Sequence, residues 1–308
     1  MKITVKVPAT TANLGPGFDC FGMALPIYNY VTVEETVMPG SGIQIEIINE
    51  NKDELLDSIP LDENNIVYKA IEVLYNFLGQ TPDDLKITIN SDIPMTKGLG
   101  SSASVIVGGL IATNELLGRP ADTDVLLSIA TEIEGHPDNV SPAILGGFVM
   151  SSLESDGSVL YRKIEWNKDW KITVCVPDYE LATNISRSVI PDEIPIKDAI
   201  FNLKRSAMFI HALDTKDSNL MKEALKDKIH QPYRTKLVPG LNDVIENLKH
   251  EENVLGTVLS GAGPSIIVIS EGNNLDKIHG IIKDTWNNLN VQVDIFTVEP
   301  EENGACIV

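Results

Sequence analysis

Cysteine is scarce in this chain. Cys20, Cys175 and Cys306 are the three in 308 residues, far apart and without a CxxC pair. That argues against a disulfide framework and a cysteine-based zinc cluster, and it fits a reducing compartment. Basic residues are also few, 24 Lys and Arg against 44 Asp and Glu, for a net charge of −20. So acidic a surface repels nucleic acid and anionic membranes, and neither is expected as a partner. A phosphorylated ligand must then be held by local features. No stretch approaches the ~20 apolar residues of a membrane span. The opening MKITVKVPAT lacks the continuous apolar segment of a secretory signal and reads as a strand, so a cytoplasmic protein is expected. Repeats and low-complexity tracts are absent as well.

What is present is an ordinary globular composition, 43% hydrophobic and 22% charged. The length suits one large domain or two of usual size. Ile3, Val5 and Val7 alternate with polar residues, as do stretches 28–33 and 43–47, which predicts half-buried strands. Residues 65–78 carry apolar side chains at helical spacing, with Gly79 as a stop signal. Leu85, Ile87 and Ile89 form a strand that leads into Pro94-Met95-Thr96-Lys97-Gly98-Leu99-Gly100-Ser101-Ser102-Ala103-Ser104, and an apolar helix continues to about residue 117. A helix over 122–133 and a returning strand over 146–152 follow. Polar residues 154–169 mark a domain boundary, giving domains 1–155 and 156–308. The second half reads as a strand over 172–176, helices at about 195–214, 217–228 and 241–248, strands over 254–259 and 265–269, a helix over 275–289 and a strand over 291–298. That order suits an antiparallel sheet with helices on one face, an α+β arrangement.

Four segments combine unusual residues. In the glycine loop, two glycines allow a tight turn and two hydroxyls sit where a helix begins, beside unpaired N–H groups and the positive end of the dipole. Phosphate is the natural guest, although a turn with serine N-caps would read similarly. The order is not the Walker pattern, because the lysine precedes Gly-Leu-Gly. Pro8-Ala9-Thr10-Thr11-Ala12-Asn13-Leu14-Gly15-Pro16-Gly17-Phe18-Asp19 reads as a compact loop after the first strand, with a plain surface turn as the alternative. Glu132-Ile133-Glu134-Gly135-His136-Pro137-Asp138-Asn139 gathers carboxylates, an imidazole and an amide between two apolar helices. Carboxylates suit Mg²⁺ beside nucleotide phosphates, and Asp138 as an N-cap is the plainer account. Ser260-Gly261-Ala262-Gly263-Pro264-Ser265 is either a hairpin turn or a close backbone approach to a ligand.

In this order the segments resemble the GHMP kinase superfamily, whose glycine motif reads Pro-x-x-x-Gly-Leu-Gly-Ser-Ser-Ala and whose third motif matches Ser-Gly-Ala-Gly-Pro-Ser. The first segment and Glu-Gly-His-Pro-Asp-Asn-Val-Ser-Pro are similar to the homoserine kinase branch. The resemblance covers nearly the whole chain. It implies a two-domain α+β kinase, with a ribosomal-protein-S5-like N-terminal domain and a ferredoxin-like C-terminal domain. ATP and Mg²⁺ would be used to phosphorylate L-homoserine to O-phospho-L-homoserine, a step towards threonine. It also implies residue roles. Pro94, Lys97, Gly98, Leu99, Gly100, Ser101, Ser102, Ala103 and Ser104 would form the ATP loop, with Asn65 near the adenine. Ser102 and Glu134 would hold Mg²⁺. Asn13 and Asp19 would grip the substrate, Asp19 at its ammonium, and Arg187 and Arg234 would clamp its carboxylate. His136, Asp138 and Asn139 would line the reacting side, with Asp138 and Asn139 placing the hydroxyl. Glu134 stands only two residues before His136, a shorter spacer than in many homoserine kinases, so Glu132 stays open as the metal ligand. Another family member acting on an isoprenoid alcohol or sugar, and a non-catalytic ATP-binding regulator, are the alternatives. The resemblance leaves a homodimer open.

Overall fold

In the computed structural model, which describes residues 1–36, 40–48, 58–82, 84–272 and 275–308, two sheets carry the chain. The larger is built from β1 (Lys2–Ala12), β2 (Phe21–Glu35), β3 (Gln44–Ile48), β4 (Leu85–Ser91), β5 (Phe148–Leu153), β6 (Val159–Ile164) and β11 (Cys306–Ile307). Its order is β11-β1-β2-β4-β3, with β5 joining β2 and β6 joining β5. Only β3 and β4 run parallel. Four helices lie with it: α1 (Ile66–Phe77), α2 (Ser101–Leu116), α3 (Thr123–Glu134) and α4 (Pro137–Leu145). Asn65 caps α1 by accepting from Val67 N, and Asp122 caps α3 by accepting from Val125 N. Val5, Val7, Val31, Val33, Ile87 and Ile89 pack on Ile71, Leu74, Ile106, Val107, Leu110 and Leu127 to make the first core.

The smaller sheet has β7 (Trp170–Pro177), β8 (Val254–Leu259), β9 (Ile266–Glu271) and β10 (Val293–Val298), antiparallel throughout in the order β10-β7-β9-β8. Around it run α5 (Thr183–Ser188), α6 (Ile196–Thr215), α7 (Ser218–Ala224), α8 (Gln231–Arg234), α9 (Leu241–Leu248) and α10 (Asp276–Asn287). Helices cover both faces rather than the expected one. Cys175, Ile266 and Val268 face Val244, Ile282 and Trp286 of α9 and α10, while Ile172, Val174, Ile267 and Ile269 face Phe209 and Met221 of α6 and α7. The strand side chains divide by odd and even position, as the pleat requires. That second face also meets Ala9, Leu14, Phe21, Leu25, Leu99 and Phe148, so the two halves share one core.

Three local features depart from the sequence reading or are absent from it. Pro8 to Ala12 continue β1 instead of forming a loop, paired with β2 across a register shift between Pro8 and Ala9. Proline is accommodated at such an irregularity. Residues 154–169 hold β6, hydrogen-bonded to β5, so the division drawn at residue 155 falls in the turn of a hairpin on the larger sheet. This edge strand is half exposed, and that explains its polar sequence. Finally, the chain's last strand, β11, pairs with β1 rather than with the nearer sheet. Among the described residues, no helix is long and apolar enough to cross a membrane.

Candidate active site

A cleft of about 350 Å³ opens between the halves, lined by the glycine loop, the start of α1, the α3–α4 junction, α5, and the β8–β9 turn. The loop is held by its carbonyls. Thr96 O accepts from Leu181 N at 3.1 Å, Lys97 O from Ser265 N at 3.2 Å and Leu99 O from Thr10 N at 3.0 Å. Gly98 O accepts from Ser260 Oγ at 2.7 Å. Both glycines have positive φ, 72° and 68°. A Cβ on Gly98 would stand 2.3 Å from Ser260 O, and one on Gly100 1.9 Å from Thr10 Oγ1. The first intrahelical bond is Ser104 N to Gly100 O, and the N-cap Gly100 offers no side chain. Among the described residues, the N–H groups from Leu99 to Ala103 take no protein partner. The serine-cap reading is thereby replaced by an open helix N-terminus, the electrostatic requirement for an anion.

The expected loop residues divide. Pro94, Lys97, Gly98, Leu99, Gly100, Ser101 and Ser102 line the cleft, as does Asn65, whereas Ala103 and Ser104 turn inward and are fully buried. Ser104 Oγ donates to Ser101 O and accepts from Asn29 Nδ2 at 2.8 Å. Lys97 Nζ donates to Pro177 O and Tyr179 O at 3.1 and 2.8 Å, tying the loop to the chain that leads into α5. Asn65 spends its amide locally, donating to Pro60 O and capping α1.

Across from the loop, α3 ends at Glu134, and Gly135 at φ 90° turns the chain into α4. Ser102 Oγ donates to Glu134 Oε2 at 2.8 Å. Burial raises the Glu134 carboxyl above its ordinary value, although His136 and the Ser102 hydroxyl pull it back. Glu132, two residues earlier on α3, is exposed and stands outside the cleft wall. His136 Nδ1 lies 2.5 Å from Asp138 Oδ1. Burial works against charge on this imidazole, but the hydrogen bond and charge of Asp138 outweigh it and its pKa is raised. His136, not Asp138, occupies the N-cap position of α4, and Asp138 is 2% exposed. Thr10 Oγ1 donates to Asn139 Oδ1 at 2.8 Å, so the amide NH₂ of Asn139 faces Asp138 Oδ1 at 3.3 Å.

The third wall is cationic. Arg187 of α5 makes a forked ion pair with Asp19, Nη2 to Oδ1 at 2.7 Å and Nη1 to Oδ2 at 3.1 Å. Asp19, His136 and Asp138 bring ligand atoms within 4.8 Å of one another. Arg234 of α8 is 1% exposed and donates to Ser186 O and Gly261 O. Desolvation and then the neighbouring Arg187 push its guanidinium down to about 10. Asn13 Nδ2 also donates to Gly261 O, at 2.9 Å, and its Oδ1 accepts from Asp19 N. The β8–β9 turn therefore approaches the site closely instead of being a plain hairpin. Thr10, Thr183 and Ala262 are site residues the sequence reading left out. Thr10 sits in a stretch buried on both faces, where no alternation marks it, and Thr183 opens a helix of six residues.

This arrangement can seat a polyanion at the α2 N-terminus and a molecule bearing both charges between Asp19 and the arginines, with Asp138 and Asn139 between the two. Among known proteins, the GHMP kinases N terminal domain matches residues 65–147 and the GHMP kinases C terminal domain residues 209–288. The chain is 41% identical over 304 residues to a homoserine kinase of Carboxydothermus hydrogenoformans, covering 98% of this chain and 96% of that one. It is 40% identical over 307 residues to one of Caldicellulosiruptor saccharolyticus, covering 99% and 96%. The crystal structure of a homoserine kinase from Cytophaga hutchinsonii superposes with a TM-score of 0.88 at 28% identity, covering 100% of this chain and 97% of that one.

Proposed function

The chain belongs to the GHMP kinases, within their homoserine kinase branch, and on that premise we propose that it transfers the γ-phosphoryl group of ATP to the hydroxyl of L-homoserine. The products are ADP and O-phospho-L-homoserine, on the way to threonine. One observation carries the reading for this chain: an open helix N-terminus and the Arg187 guanidinium line one cleft, with the Asp19 carboxylate paired to that guanidinium just outside the lining. The first suits a triphosphate, and the pair offers a partner to each charge of an amino-acid zwitterion. A net charge of −20 fits small-molecule partners better than nucleic acid.

Phosphoryl transfer passes through a loose transition state, so the protein's work is positioning and charge stabilisation. The N–H groups at the start of α2 bind the phosphates. Asp19 takes the substrate ammonium, and Arg187 and Arg234 take its carboxylate, Arg234 through Nη2, the one guanidinium nitrogen not given to Ser186 O, Gly261 O or His230. Asn139, oriented by Thr10, directs its amide towards the nucleophilic hydroxyl, and Asp138 accepts the hydroxyl proton as it leaves. His136 keeps the Asp138 carboxylate oriented. Ser102 and Glu134, a hydroxyl and a carboxylate oxygen 2.8 Å apart, are the hard oxygen donors that suit Mg²⁺ and would hold it. When bound, that ion neutralises charge on the phosphates. Glu134 is favoured over Glu132 because it lines the cleft and meets Ser102, whereas Glu132 does neither.

Coupled ADP release tests the substrate. Turnover is expected with L-homoserine and not with mevalonate or galactose, and an equal response to either of the latter would replace this reading.

A further inference from the structure

Two guanidinium groups that share one carboxylate repel each other, and Arg187 is among the groups that lower the pKa of Arg234. Something must hold them together before the anion arrives. Asp19 pairs with Arg187, but among the described residues no carboxylate makes a salt bridge with Arg234. Besides the Ser186 and Gly261 carbonyls and the fields of Asp19, Asp138 and Asp227, Arg234 has an aromatic ring and a neutral imidazole beside it. Its guanidinium carbon lies 5.3 Å from the centroid of Phe18, and that of Arg187 lies 5.5 Å from the same ring. Both distances are within cation–π range. His230 stacks on Phe18, with centroids 5.2 Å apart and planes 18° from parallel.

The imidazole's partners favour one tautomer, with the buried Asp227 carboxylate 3.6 Å from Nε2 on the same side as Gly15 O. His230 is fully buried, and its Nε2 is 2.8 Å from Gly15 O. A carbonyl only accepts, so Nε2 carries the hydrogen and Nδ1 presents a lone pair. Arg234 Nη1, a donor, meets that lone pair at 3.3 Å. A protonated imidazole would set donor against donor here, and desolvation keeps this histidine on the neutral side. Asp227 fixes the backbone beneath, accepting from the N–H groups of Ile229, His230 and Gln231. The ring and the imidazole thus form a preorganised platform for both cations, and neither residue lines the cleft.

We propose that Phe18 and His230 are positioning residues that hold Arg234 and Arg187 as a pair for the substrate carboxylate, Phe18 acting on both cations through its ring face and His230 on Arg234 through Nδ1. The proposal rests on the homoserine reading. It makes substrate affinity depend on the electron density of a side chain that does not touch the substrate.

The test replaces Phe18 with mono-, di- and trifluorinated phenylalanine, which keep the ring's shape while draining its face. The KM for L-homoserine should rise stepwise along the series, while kcat and the KM for ATP hold within twofold. Phe18→Leu should raise the homoserine KM about tenfold, from the loss of two cation–π contacts, and Phe18→Trp should restore most of it. A flat fluorination series in an enzyme that does turn over homoserine overturns the platform alone. Equal losses in kcat, ATP affinity and melting temperature for Phe18→Leu also overturn it, because they mark a merely structural ring. Absence of homoserine turnover in the unaltered protein overturns the substrate reading, and the carboxylate clamp with it.

Discussion

Asn139 is oriented from 129 positions away in sequence, by the Thr10 hydroxyl on its Oδ1. In the proposed mechanism the nucleophile's placement depends on that one amide. Asn139→Leu should lower kcat by roughly 100-fold or more, the scale of a misplaced reacting group, with little change in ATP affinity by equilibrium titration. Wild-type turnover would remove Asn139 from the mechanism. His136 and Asp138 offer a pH signature. The imidazole's pKa is raised because Asp138 outweighs burial. Asp138→Asn removes the raising partner and leaves the desolvation, so the His136 pKa should fall below the ordinary 6.5 or so, read by NMR titration of its ring. In stability, the favourable imidazolium is fully present below the unfolded pKa and lost as pH rises through the folded one. The denaturation midpoints of wild type and variant should accordingly differ more in mild acid than at alkaline pH. The two arginines are the residues least legible in sequence. Nothing local separates a buried clamp such as Arg234 from a surface charge, because its partners are the backbone of Ser186 and Gly261, distant in the chain.

At the scale of elements, the glycine loop works because its carbonyls are anchored and its N–H groups are not. Gly100→Ala would force a Cβ against Thr10 Oγ1 at a positive φ. It should destabilise the protein by about 1–3 kcal/mol, the cost of a strained backbone position, and raise the KM for ATP; an unchanged melting temperature and ATP KM would show that the loop tolerates another path. Much of the architecture was readable. The period of 2 marked Ile3, Val5 and Val7, and the helices read over 65–78 and 122–133 are α1 and α3, whose starts the structure places at the caps Asn65 and Asp122. What escaped had a physical reason. Thr10 and Thr11 lie in a strand buried on both faces, β6 is a half-exposed edge, α5 is a single short helix, and β11 is two residues paired across the whole chain. Short or uniformly buried elements show no period to read. Likewise Ala103 and Ser104 share the loop's motif but face inward, since a helix turns each successive side chain by about 100°.

Over the whole molecule, the cleft is where two sheets meet around a common core, with Leu14, Phe21 and Leu99 of one half packed against Phe209, Met221 and Ile267 of the other. The proposed phosphate and zwitterion ends are therefore built on one scaffold, joined by the Lys97 side chain on Pro177 O and by Ser260 on the Gly98 carbonyl. On the proposed reading, that scaffold would let a protein of net charge −20 grip anions by local dipoles and two arginines. The most direct test of the account is ³¹P NMR of the protein with ATP, Mg²⁺ and L-homoserine. The account predicts that the γ-phosphate signal is replaced, one for one with ADP, by a phosphomonoester whose phosphorus couples to the C4 methylene protons of homoserine. Conversion of ATP to ADP and inorganic phosphate alone, or no conversion at all, would contradict it.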